Sequence, residues 1–385
     1  MSDRIAGDPG ARRRSVGRRR AATRRRRALA AAACAAAVAG AAVGAGSSDG
    51  DGAAKLPDLS NRQLAGERII TGFKGTHPPA KVRRMIAAGR IAGVILFADN
   101  FDSVDGARRL AGKLQSIGRP HGLRSPLLVM IDQEGGEVKR LDGPPAGSAA
   151  AMGRRGPDYC RRQGERTGRL LRDAGVNVDL APVLDVARPD SAIGAEHRAF
   201  GHHAKAVSNR GNAFAAGLGA ARVAATAKHF PGLGAAPRNT DFAVERIDIR
   251  TKKLRAIDER PYRAFVSAHG PVVMVNTAIY PRLSGLPAAL SRRIATDELR
   301  SRAGFQGVSI SDSLEAASAR AVGGHARLAR LGAAAGTDLL LYTSPHDALA
   351  GTRELTRDLR SGRLGRDGFR TSAARVLALR SSLPG

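Results

Sequence analysis

The 385-residue chain reads as an α/β protein, a single (β/α)8 TIM barrel preceded by a leader that is not part of it. Three observations carry this reading. Short β-branched apolar runs recur from about Asn61 onward, Ala/Arg-rich segments of helical character separate them, and the runs number eight. Alternating strand and helix patterns specify parallel strands with crossover helices, and eight such units close on themselves. One barrel can absorb a chain of about 200 to more than 400 residues, so no second domain is required.

Taken in order, the leader comes first. Eleven arginines fall within the first 27 residues, opposed only by Asp3 and Asp8, and give that head +9 of the formal +29. Residues 28–45 are uncharged Ala, Val, Leu and Gly with one cysteine, and end on the small residues Val43, Gly44 and Ala45. A basic stretch, an apolar stretch and small residues in that order predict an export signal cleaved near Gly46, the alternative being an uncleaved N-terminal anchor. Any membrane attachment would run through residues 28–45, and the product would be extracellular or bound to the cell envelope. Residues 46–60, rich in Gly, Ser and Asp at their start, read as a linker, and 61–385 as the barrel domain.

The eight predicted strands are 68–72, 93–97, 127–132, 176–183, 225–230, 271–276, 307–312 and 337–342, starting some 25 to 50 residues apart. Each is a near-continuous apolar run, as expected of strands covered on both faces. After Tyr342, the helical spacing of Leu355, Leu359, Val376, Leu377 and Leu379 predicts helices closing the outer layer.

The remaining +20 is dispersed, with no dense basic run and no Arg/aromatic stripe for stacking bases, so no nucleic-acid partner is expected. Cys160 is alone beyond the leader; no internal disulfide is available to that part, and the thiol reads as a buried small hydrophobe. HExxH, CxxC and GxxxxGK[ST] are all absent, which removes the usual supports of zincin, redox and P-loop chemistry. Neither a metal nor a cofactor is expected. His202 and His203 read as solvated surface.

Several strands end on polar residues that a core would not choose: Asp132, Asn276 and Asp312, with Lys228 and His229 near the end of the fifth. The C-terminal rim of such a barrel is where active sites are built. Carboxylates, cations and a histidine gathered there suit a polyhydroxylated ligand. A pair of acidic groups, Asp312 and one in the loop after strand five, suits nucleophile-and-acid cleavage of a glycosidic bond.

At this point the segments GVILFADNF (93–101), IDQEGGEVKRL (131–141), AGVNVDLAPVLDV (174–186), AKHFPGLG (227–234), GVSISDSL (307–314) and AGTDLLLY (335–342) matter together. In their order and content the chain resembles glycoside hydrolase family 3, in particular its single-domain bacterial β-N-acetylhexosaminidases. The resemblance implies a retaining β-glycosidase, expected as a monomer, acting on wall-derived amino-sugar glycans. It implies that Asp312 is the nucleophile, that Asp132, Arg140 and Arg198 bind sugar, and that Lys228 and His229 grip ring hydroxyls. Asp185 reads instead as a structural hydrogen-bonding residue.

One departure stands out. Where those hexosaminidases carry a second His in KHFPGHG and then an Asp-Ser-His acid/base segment, this chain has Leu233 and then Asn239, Thr240 and Asp241. Asp241 occupies the place of the catalytic His and would serve as proton donor if burial or the charge of Asp312 raised its pKa. The alternatives are a glycan-binding barrel without turnover and a specificity closer to that of a β-glucosidase.

Overall fold

A computed structural model describes residues 57–385; the leader and most of the linker lie outside the described residues. All eight expected strands form. They are β1 (Ile69–Thr71), β2 (Gly93–Ile95), β3 (Leu128–Ile131), β4 (Val178–Asp179), β5 (Ala224–Phe230), β6 (Val272–Val275), β7 (Val308–Ser311) and β8 (Leu340–Tyr342). Neighbours pair in parallel in the order β8-β1-β2-β3-β4-β5-β6-β7. β8 pairs with β1 through Ile69 and Leu340, and an Ile310–Leu339 bridge joins β7 to β8, which closes the barrel. β1, β3, β6 and β7 are one residue shorter at each end than the apolar runs predict, β2 and β8 are shorter at one end, β4 is two and four residues shorter, and β5 starts one residue earlier; the runs continue into buried loop residues such as Leu96 and Ala181.

Side chains alternate between the two faces of a strand, and here the alternation builds the site. Leu128 and Met130, Ala224 and Thr226, and Val308 and Ile310 are buried on their strands. Continuing each series by two residues gives Asp132, Lys228 and Asp312, all of which line the cavity above the barrel's apolar interior. The other parity, including Ile69, Val94, Val129, Val273 and Leu340, packs under the helices in a second core.

The C-terminal tail differs from the outer layer expected of it. Leu355 and Leu359 on helix Pro345–Arg360 do pack in the outer core. Val376 and Leu379 on helix Arg366–Ser382 instead join the barrel-interior cluster. Arg380 on that helix makes a fully buried pair with Glu67 at 2.6 Å and donates to the carbonyls of Leu123, Ser125 and Pro126, groups that precede β1 and β3. The helix thus seals the N-terminal end of the barrel and leaves the opposite end as its opening. Cys160 is buried with a free thiol, and His202 and His203 are exposed, as the sequence indicates.

Candidate active site

A cavity of about 550 Å³ opens at the C-terminal ends of the strands. Its floor includes Ile95, Leu180, Met274 and Leu341, and its walls hold all seven residues named from sequence: Asp132, Arg140, Arg198, Lys228, His229, Asp241 and Asp312. Asn276 does not join them. Its amide donates to the His229 carbonyl and to the Tyr280 hydroxyl, so this strand end is structural.

One wall is a chain of alternating charges. The Arg140 guanidinium lies 3.7 Å from Asp132, the Lys228 ammonium 2.7 Å from both Asp132 and Glu134, and Arg198 forks onto Glu134 with two bonds of 2.8 Å. Arg198 also reaches Glu196 at 3.0 Å. Burial opposes the charge on Glu134, but Arg198 and Lys228 override it and hold its carboxyl far below the usual range. Burial likewise opposes the charge on Lys228, and Asp132 and Glu134 more than restore it, so its pKa is raised. A wall of fixed, mutually oriented charges binds hydroxyls well, because its donors and acceptors need no reorganisation when a sugar arrives.

Glu134 and Glu196 were not singled out from sequence. The signal for Glu134 lies in the same DQEGG segment as Asp132: it shares that residue's parity, and a buried Lys and Arg across the barrel require more than one counter-charge.

His229 is oriented from behind. Asp185 is fully buried, lies 2.6 Å from His229 Nδ1, and accepts from the His229 and Leu233 main-chain N–H groups at 3.3 and 2.6 Å. That contact places the ring proton on Nδ1 and turns Nε2 toward Arg198, 3.5 Å away. The structural role expected of Asp185 is therefore to hold His229 in register. Beneath the site, buried Asp179 accepts from the Gln133 N–H at 3.0 Å, and burial pushes its carboxyl up to about 8, which keeps a further negative charge out of the cluster.

Asp312 sits on the facing wall. Its main-chain N–H bonds the Val275 carbonyl, and its Oδ1 accepts from the Ser313 N–H at 2.8 Å. Among the described residues nothing donates a hydrogen bond to Oδ2, which leaves that oxygen available to a substrate. Asp241 stands at the mouth, where its main-chain N–H donates to Asn239 Oδ1 at 3.0 Å. The residue as a whole is exposed at the rim, while the atoms of the cavity wall crowd its carboxyl. Burial first, and then the charge of Asp312, raise its pKa from 3.8 to about 6.

Glu315, His325 and Asp347 are the described residues that come nearest to a metal-ligand set, with one ligand atom each within 4.8 Å of one another. Hydrogen bonds account for this group. Glu315 accepts from the Thr343 and Ser344 N–H groups and from the Ser313 hydroxyl, and Asp347 faces His325 at 3.3 Å and His346 at 3.1 Å. No helix of the described residues is long and apolar enough to cross a membrane.

A closed parallel barrel with a charged, carboxylate-lined cavity at its C-terminal rim is an architecture suited to glycoside hydrolysis, and the family match makes the class explicit. Residues 58–379 match the glycosyl hydrolase family 3 N terminal domain, and the chain belongs to that family. It is 34% identical, over 83% of its length and 93% of the relative's, to an uncharacterized secreted glycosyl hydrolase of Arthroderma benhamiae. It is 32% identical to a beta-hexosaminidase of Alkalilimnicola ehrlichii, over 73% of this chain and 82% of the other. The solved structure of a beta-N-acetylhexosaminidase from Beutenbergia cavernae superposes with a TM-score of 0.79 at 31% identity, covering 84% of this chain and 99% of that one.

Proposed function

We propose that this glycoside hydrolase is an exported, retaining β-N-acetylhexosaminidase acting on wall-derived glycans, with Asp312 as nucleophile and Asp241 as general acid/base. The observation that carries the reading is the pairing of Asp312 with a second carboxyl of raised pKa, about 6, in one cavity. Enzymes of this kind need one group ionised and one protonated at the same pH, and environments that push two carboxyls apart supply both. The amino-sugar preference is supported by the names of the relatives. Export is supported by the basic and apolar leader and by the secreted relative.

In the first step the Asp312 carboxylate attacks the anomeric carbon while Asp241 gives its proton to the departing glycosidic oxygen, leaving a glycosyl ester on Asp312. Esterification removes the negative charge that helped raise the pKa of Asp241. Asp241 thereby becomes the stronger acid just when its ionised form is needed. In the second step it takes a proton from water, the water oxygen attacks the anomeric carbon, and Asp312 is released as carboxylate. Asp132, Arg140, Arg198, Lys228 and His229 hold the sugar throughout. The cycle uses no cofactor.

The test is hydrolysis of chromogenic β-N-acetylglucosaminide and β-glucoside by the full chain and by Asp312→Ala. Release of the first substrate in preference to the second, reduced on the order of 10⁴-fold or more in Asp312→Ala, is the expected result. Glycan binding without release from either substrate would overturn the reading in favour of a binding protein, and preferred release of the glucoside would overturn the amino-sugar assignment.

A further inference from the structure

The geometry points to a binding site for a second pyranose ring, the leaving-group sugar, built on the exposed face of Phe242; this rests on the assignment of Asp241 as proton donor. Only two large apolar side chains among the described residues are exposed, Phe242 at 86% and Val244 at 40%. Both lie in the segment that carries Asp241. Two solvent-facing apolar residues in one short stretch beside a catalytic group differ from the single exposed residues scattered over any surface.

That stretch is held in place. The Phe242 and Ala243 N–H groups both bond the Asn239 carbonyl at 3.1 Å. The Asp241 carbonyl accepts from the Ala317 N–H at 3.1 Å, and the Ala243 carbonyl accepts from the Ser318 hydroxyl at 2.9 Å. The Ser318 hydroxyl in turn accepts from the Glu245 N–H at 3.0 Å. The main chain on both sides of Phe242 is thus fastened to the segment that follows Asp312, and the ring is exposed on a fixed support.

The position decides the ligand. Asn239, Thr240, Asp241 and Ala316 line the cavity, whereas Phe242 lies just beyond the lining. A general acid must meet the glycosidic oxygen, so the sugar bonded through that oxygen lies on the outer side of Asp241. A pyranose offers a face of C–H groups that covers an aromatic ring well, while its hydroxyls stay at the edge in water. Arg238, held by Glu245 at 2.7 Å and largely exposed, and Asn239 line the cavity a few residues before Phe242 and offer polar groups to ring hydroxyls. The substrate class is accordingly an oligosaccharide of at least two rings, with the second sugar contributing to affinity.

The test compares the β-1,4-linked N-acetylglucosamine disaccharide with β-N-acetylglucosaminyl fluoride, whose leaving group has no ring, on the full chain and on Phe242→Ala and Phe242→Trp. In Phe242→Ala the disaccharide-to-fluoride ratio of kcat/KM falls about tenfold, the effect of covering one face of an aromatic ring, and it returns in Phe242→Trp. An unchanged ratio, whether neither substrate is affected or both fall together, would overturn the site. Should the parent turn over neither substrate, the catalytic reading fails, and calorimetry decides the site separately. Disaccharide binding weakened about tenfold in Phe242→Ala, with monosaccharide binding maintained, supports it, and equal disaccharide binding overturns it.

Discussion

Replacing Asp241 by Asn probes the one catalytic role that the sequence pattern of the hexosaminidases does not supply. The substitution keeps the shape of the side chain and removes its proton. With a pKa of about 6, about a tenth of Asp241 is protonated at pH 7, against about one part in 1,500 for a carboxyl at 3.8. The environment therefore raises the competent fraction by roughly 150-fold. Because the protonated form is the acid, kcat/KM of the parent is expected to fall with increasing pH above about 6. In Asp241→Asn that limb disappears, and the rate on substrates with poor leaving groups drops by about 10²–10⁴-fold. The loss shrinks as the leaving group improves, since a good one departs without a proton. Azide, which attacks the glycosyl ester without base assistance, accelerates the variant and yields the β-glycosyl azide. The assay is kcat/KM against pH for a series of aryl β-N-acetylglucosaminides, with products resolved by NMR. An alkaline limb that survives in the variant, or a loss independent of leaving group, would refute the assignment.

Asp312→Asn removes the charge that, after burial, contributes most to raising the pKa of Asp241. In this variant Asp241 is expected to titrate below about 6, measured by NMR of a labelled carboxyl, and an unmoved value would deny the coupling. Asp185→Asn weakens the charged bonds that orient His229, and about 1.5–3 kcal/mol lost from the transition state lowers kcat/KM roughly ten- to hundredfold, seen in steady-state kinetics. Wild-type kinetics in that variant would show that His229 holds its place unaided. Glu134→Ala strips Lys228 and Arg198 of a shared buried partner and is expected to cost about 3 kcal/mol in urea unfolding at pH 7. Its folded pKa lies below the unfolded value of about 4.3, so its contribution is complete above that value and fades as pH falls through the folded one. The variant's stability curve should therefore be flatter on the acid side, and a parallel curve would contradict this.

The barrel was legible because strand parity and spacing leave few alternatives. Val308, Ile310 and Asp312 make the case within one strand: two inward apolar residues and then a carboxyl at the next inward position, where a core would accept none. Glu134 and Asp185 were less legible, since their roles consist of contacts with Arg198, Lys228 and His229, residues 44 to 94 positions away along the chain, and local pattern carries no such information. The final helix was misplaced for a related reason. Val376 and Leu377 are adjacent apolar residues on one helix, yet one faces the barrel interior and the other the outer core. Helical periodicity identifies an apolar face without saying which of two cores it meets.

On the proposed assignment of Asp241, a carboxyl in place of an imidazole at the acid position is intelligible from the surroundings rather than from the residue alone. A histidine's ordinary pKa already lies near neutrality, so an exposed one needs little from its neighbours beyond orientation. An aspartate titrates near neutrality only where water is partly excluded and a like charge is held close. Both conditions depend on where the loop lies, and here the Thr240 and Asp241 carbonyls accept from the Ser318 and Ala317 N–H groups. Those groups follow Asp312 on the same short segment, so one set of main-chain bonds sets the spacing of the two carboxyls and therefore the shift itself. Loosening that joint would lower the pKa of Asp241 and misplace it at once. On this arrangement the acid's strength is a property of the loop contact, and Ser318→Ala, which removes the hydroxyl that bonds the Ala243 carbonyl and the Glu245 N–H beside those main-chain bonds, should move the alkaline limb of the pH profile without touching either carboxyl.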